Sequence, residues 1–309
     1  MLEFARGRNV SDERDRVFAL SSLMPAKVPD VLRPDYDTPI HDVMREASRH
    51  CFCHNESLTC NDFGRMPSTT RELAASGSRP TWVTDWSNPC DEDSLSWSFT
   101  ACGEHSKVYA MNNEEMAAYW SPRDREELVL KGFVAASVGR ISAVVLDQDV
   151  TIETFLACIQ AAEDLIGTTS SRLSTSAHMA FIAVLIAGSD GAYTPVDDAY
   201  LREADELLKH VRASRDWLAA SDYLRCLNRL IDRRVFSTTS GSLGLGPPCT
   251  ESSDVIALLL GCRWPAILRP MGQNLYRCVG VSYIHGMMFG EVYEAHKAVG
   301  GTFDIIRLC

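Results

Sequence analysis

The sequence predicts an α+β protein in which a helical N-terminal and central part packs on a C-terminal antiparallel β-sheet or small barrel. Apolar residues recur at helical spacing near residues 11–47 and again over 151–232. After Arg234 the chain changes to short β-rich runs separated by Gly and Pro. Helices followed by strands, rather than alternating with them, give an α+β arrangement. No repeat of solenoid length occurs.

Ser11 is placed to cap a first helix, with Asp12 and Glu13 in its first turn. Val17, Leu20, Leu23 and Met24 share one face, and Pro25 and Pro29 end the element. That stripe is expected to pack against the helices of 151–232. Thr38 and Pro39 suit the N-cap and first position of a second helix, whose apolar face is Ile40, Val43, Met44 and Ala47. From 51 to 131 Pro, Ser, Gly, Asn and Asp are frequent, and Trp82, Trp86, Trp97 and Trp120 all fall there, which predicts ordered loops around buried indoles. Thr151 caps a helix with the face Ile152, Phe155, Leu156 and Ile159, stopped at Gly167. The run 177–187 reads as a helix buried on all sides and is too short to span a bilayer. Residues 197–232 are helical with a break near Ser214 or Ser221, and RVFST, VIALLL, AILRP and LYRCVGVSYIH follow as strands. The division is a mainly helical region 1–232 carrying the Trp-containing insert 51–131, and a β subdomain 233–309, joined in one unit.

The formal charge of −11 argues against a nucleic-acid partner or an anionic membrane surface. Eleven cysteines in no regular framework, behind an N-terminus without an apolar signal core, point to a reducing, cytoplasmic setting with buried thiols. Cys309 is not placed as a prenylation box.

Gly241-Ser-Leu-Gly-Leu-Gly246 is followed by Pro247 and Pro248 rather than by Lys and Ser or Thr, so it reads as a structural turn and not a nucleotide loop. Cys51, Cys53, His54, Cys60, Cys90, Cys102 and His105 lack paired zinc-ligand spacing. No cofactor or metal is therefore expected. No G-x-S-x-G elbow is present. Tyr283 and His285, two apart, share a face if they lie on a strand, and Glu291 follows a glycine turn. That trio could polarise a carbonyl or shuttle a proton, or simply anchor the last turn. Asp85 between Trp82 and Trp86 could line an aromatic pocket or accept bonds within a packed loop. Arg234 and Arg269 could attract an anionic ligand or pair with the acidic surplus. Asp85, Trp86, His285 and Glu291 are expected to meet in one region.

Several blocks carry a family likeness. The C-terminal third holds Arg234, Phe236, Thr238, Gly241, Gly244, Gly246, Pro247, Asp254, Leu268, Arg269, Pro270, Tyr283, His285, Gly286, Met288, Gly290 and Glu291 in a succession that resembles the closing segment of fungal heterokaryon-incompatibility proteins. SDERDRVFALSSL, RPDYDTPIHDVM and RPTWVTDWS resemble further blocks of that family, in its order. The family's Y-x-A-L-S-Y-x-W-G and I-D-x-x-C-I-N-Q blocks do not occur, so the chain is expected to lack the effector domain. The resemblance implies an interaction or regulatory factor of the non-self recognition lineage, acting through a protein partner. The alternative is a cofactor-independent enzyme of cyclase, cycloaddition or isomerase type in a fungal secondary-metabolite pathway, taking a small apolar substrate.

Overall fold

The structure is a computed structural model that describes residues 10–21, 33–54, 80–84, 95, 98–103, 127–146, 149–167, 175–192, 194–215 and 228–309. Helix α1 (Asp15–Ser21) starts later than the sequence suggests. Asp12, rather than Ser11, holds its leading turn, accepting from the Arg14 backbone N–H at 2.9 Å and from its guanidinium. Val17 and Phe18 are buried. Helix α2 (Ile40–His54) packs against α1 and buries Val43, Met44 and Ala47, while Ile40 stays exposed. The Thr38 hydroxyl donates to Asp35 instead of capping. Ser48 on α2 accepts the Thr84 N–H at 3.0 Å, and the Arg49 guanidinium lies 5.4 Å from the Trp82 ring centre. Trp82 is thereby sealed into the core.

Thr151 and Thr154 exchange side-chain and backbone bonds at the start of helix α3 (Ile152–Gly167). Helix α4 (Thr175–Leu185) ends in crossed bonds from Gly188 N–H to the Ala183 carbonyl and from Ala187 N–H to the Val184 carbonyl. Helix α5 (Asp198–Ser214) is capped by Asp197 and ends at Arg215 in the left-handed region, at the expected break. Among the described residues, no helix is long and apolar enough to cross a membrane.

The β part begins far earlier than residue 233. Strand β1 (Leu128–Ile141) lies at the end of the supposed loop insert and beyond it. The later strands are β2 (Arg234–Thr238), β3 (Leu243–Gly246), β4 (Val255–Leu259), β5 (Ala266–Gly272), β6 (Leu275–Val281), β7 (Tyr283–Ile284) and β8 (Asp304–Leu308), with helix α6 (Glu291–Ala298) before the last. β4, β5, β6, β8 and β1 pair in sequence, and β1 pairs back onto β4, closing a ring. Direction cannot alternate all the way round an odd ring, so one neighbouring pair must be parallel. It is β6 with β8.

β1 then leaves the ring to pair with β2, which continues to β3 and β7. Register shifts at Val134/Ala136 and Val138/Ile141 mark where it bends. Gly132 permits the close crossing: a Cβ there would fall 2.5 Å from the Leu258 carbonyl oxygen. Alternate side chains of β4 divide between cores, Ala257 and Leu259 joining the large one with the helices, Ile256 joining Phe236, Ile267, Val279 and Ile284. The β2–β3–β7 ribbon packs helices α3 and α4 on β2 and β3.

The glycine run is only partly a turn. Gly241 takes φ +92°, whereas Gly244 and Gly246 lie inside β3. Phe236 pairs with Gly244 across the ladder, and a Cβ on Gly244 would fall 2.5 Å from its ring. Gly244→Ala is expected to destabilise the fold by about 1–3 kcal/mol through overpacking. In urea denaturation the cost should shrink when Phe236→Leu is added, since neighbours sharing one space are non-additive; a neutral Gly244→Ala would contradict this packing.

Candidate functional site

β7 carries the first site residue and ends one residue before the second. Tyr283 pairs with Leu245, and the His285 N–H donates to the Leu243 carbonyl at 3.0 Å. The Tyr283 side chain is 5 % exposed and reaches the end of α4, where a Cβ on Gly188 would lie 2.6 Å from its Oη. Phe99 packs beside it, ring centres 5.7 Å apart. His285 is exposed, and its Nδ1 stands 3.4 Å from Tyr283 Oη. The two-residue spacing therefore does bring phenol and imidazole together. Glu291, the first residue of α6, is exposed and accepts the Phe289 N–H at 2.8 Å.

Burial raises the Tyr283 phenol well above its ordinary value, with the Glu291 charge adding to it. Loss of water around one side of the imidazole lowers His285, opposed in part by the Glu291 and Asp198 carboxylates. The result is a protonated phenol beside an imidazole that is neutral at pH 7. Such a pair can pass one proton, and only its imidazole meets solvent.

The other expected residues fare differently. Asp85 and Trp86 lie outside the described residues, and with them the expected meeting with His285 and Glu291. Trp82 is a core residue, 0 % exposed, rather than a pocket wall. The Arg234 guanidinium donates to the carbonyls of Pro248 and Ser142, at 2.9 and 3.1 Å. Arg269 grips Asp254 through Nε and Nη2, reaches the Cys249 carbonyl, and pairs with Glu251 at 3.0 Å. Asp254 is 2 % exposed, so these arginine bonds tie strand to loop rather than hold out a charge for an anion. Sequence reasoning passed over Arg229, which is buried and donates to the Ile186, Ser189 and Asp190 carbonyls at the end of α4. A cation at that helix end is favourable. Its signal was the Arg-rich stretch before β2, where only the later arginines were weighed.

Among the described residues no group of three or more His, Cys, Asp or Glu is arranged to hold a metal ion. The side chains of Cys51, Cys53, His54, Cys60, Cys90 and His105 lie outside them. Cys102, Cys158, Cys249, Cys262, Cys278 and Cys309 are free thiols. Burial pushes Cys158 and Cys262 up to about 11, so both stay protonated.

Residues 169–299 match the Het-6 beta-barrel domain family. The chain is also 29 % identical over 82 residues to heterokaryon incompatibility protein 6, OR allele, of Neurospora crassa, a match covering 26 % of this chain and 12 % of that protein. No solved structure matches. Both comparisons fall on the likeness read from the motifs, and over residues 169–299 the chain is similar to the Het-6 beta-barrel domain family. The matched segment holds β2 to β7 and α6, whereas β1 and β8, which complete the ring, flank it.

A depressed folded-state value for His285 means that the unfolded chain takes up its proton first. Its contribution to stability is present above the unfolded value of 6.5 and is lost as pH falls through the folded one. Thermal melts between pH 7.5 and 5 should therefore fall less steeply for His285→Gln than for the wild type. An identical pH dependence would place the imidazole in open water.

Proposed function

We propose that this chain is a heterokaryon-incompatibility-related factor that works by binding another protein, in the cytoplasm, through the surface formed by His285, the turn after it and the start of α6. The kinship of residues 169–299 supports the lineage. The observation that carries the mode of action is exposure: His285, Phe289 and Glu291 all present their side chains to solvent. A surface where candidate groups stand in water suits recognition better than catalysis, which gains from a closed, water-excluding site. The buried thiols and the lack, among the described residues, of a membrane-crossing helix agree with the location proposed.

One observation favours the enzyme alternative. Tyr283 Oη and His285 Nδ1 lie 3.4 Å apart, and a reaction there would use the imidazole as base and the phenol as acid. That reading requires a cover over His285 that forms with substrate bound.

Cell fusion tests the first reading. The chain would be expressed in one of two filamentous strains that differ at an incompatibility locus, and the fused cells scored for death. The expected result is a changed fraction of dying fusion cells relative to an empty vector. A folded, expressed chain that leaves the fraction unchanged would overturn the reading.

A further inference from the structure

Phe289 is 54 % exposed, yet it is not loose. Its ring stands edge-on against Phe99, centres 5.5 Å apart at 75°, and Phe99 is itself fully buried against Tyr283. Its N–H is held by the Glu291 carboxylate at 2.8 Å. The preceding residue, Met288, is buried, and its carbonyl accepts the Thr100 N–H at 2.8 Å. The following residue, Gly290, turns the chain at φ +88° against Thr100 and Gly103. Ring and backbone are thus fixed before any partner arrives. A fixed, protruding aromatic loses little freedom on binding, which is what an interface anchor requires.

Among the described residues, the charged side chains beside it are mostly acidic. Glu291 is next but one in sequence, and Asp198 joins it in acting on His285, itself neutral at pH 7. Glu294 lies one turn further on, its Oε1 beside Gly103, with Lys297 at 3.6 Å as a partial counter-charge. The whole chain carries −11. Anionic bilayers and nucleic acid are repelled from such a surface, while a protein pocket bordered by Lys or Arg is attracted.

We infer that Phe289 is the anchor of the binding surface and inserts into an apolar pocket, bordered by basic side chains, on a folded partner protein. This rests on the interaction reading above and names the chemistry of the partner.

The probe is a displayed library of a small folded scaffold with a randomised concave face, selected on the full chain alone and then compared on Phe289→Ser. Recovered scaffolds should be enriched in Lys and Arg around an apolar cleft. Their affinity should drop about tenfold or more for Phe289→Ser, as for a hot-spot residue. Glu291→Gln keeps an oxygen to accept the Phe289 N–H while removing the charge, so it should weaken binding at low salt and much less at high salt. Melting curves of both variants confirm folding, and the Glu291→Gln result stands alone if Phe289→Ser melts early. Scaffolds indifferent to both changes, an acidic consensus, failure to recover any scaffold that separates the two chains, or uptake of the chain by phosphatidylserine vesicles would overturn the inference. Scaffolds that bind elsewhere remove the anchor but leave the interaction reading intact. Scaffolds that need Phe289, beside an unchanged fusion outcome, would remove the biological reading and leave the anchor.

Discussion

Everything in the β part depends on one strand serving two sheets. Residues 128–132 of β1 pair with β8, residues 132–137 with β4, and its end with β2. A straight strand cannot do this, because its two edges would continue along the same neighbours. The two register shifts turn it, and Gly132 lets the Leu258–Leu259 backbone come close enough for β4 to share it with β8. Without β1 the ring would be an open sheet of four strands, β4, β5, β6 and β8, with unpaired edges. The ribbon that presents Tyr283 and His285 would lose the strand that joins it to the ring and keep only its packing on α3 and α4.

This changes the meaning of the family motifs. Most of the residues that carry the resemblance act on the fold. Asp254 and Arg269, fifteen residues apart, meet as a charge pair that also binds the Cys249 carbonyl. A buried carboxylate of this kind is costly to leave alone, which explains why both members occur together. Phe236 and Gly244 are another such pair, a ring laid over a strand position without a side chain. What is left once these are accounted for is the stretch from Tyr283 to Glu291, where His285, Phe289 and Glu291 turn outward between buried neighbours.

Elements whose signals are local were legible in the sequence. Thr151 before an apolar 3–4 spacing gave α3, and the apolar run 177–187, broken only by His178, gave α4, because both depend only on residues within a few turns. β1 was not legible. LVLKGFVAASVGRI neither alternates cleanly nor runs continuously apolar, since its faces change neighbours at each bend and its burial changes with them. The parallel β6–β8 pair was hidden for the same reason, being a consequence of ring closure rather than of either strand's residues. At the candidate site, Tyr283 and His285 were singled out by their two-residue spacing, and Glu291 by its place after a glycine turn. The arginines kept two readings because a guanidinium looks the same in sequence whether it faces solvent, a carboxylate or a set of carbonyls; Arg269 takes the pairing with acidic residues. Phe289 was passed over as one more apolar residue, because exposure is a property of the fold.

The central claim is that β1 closes the ring and is as stable as the molecule itself. Hydrogen exchange of the intact chain under native conditions tests it at the amides of residues 130–138. They should exchange only through global opening, with the same free energy as the amides of β4 and β5 and the same response to denaturant. Exchange of those β1 amides through a local opening, well ahead of β4 and β5, would contradict it.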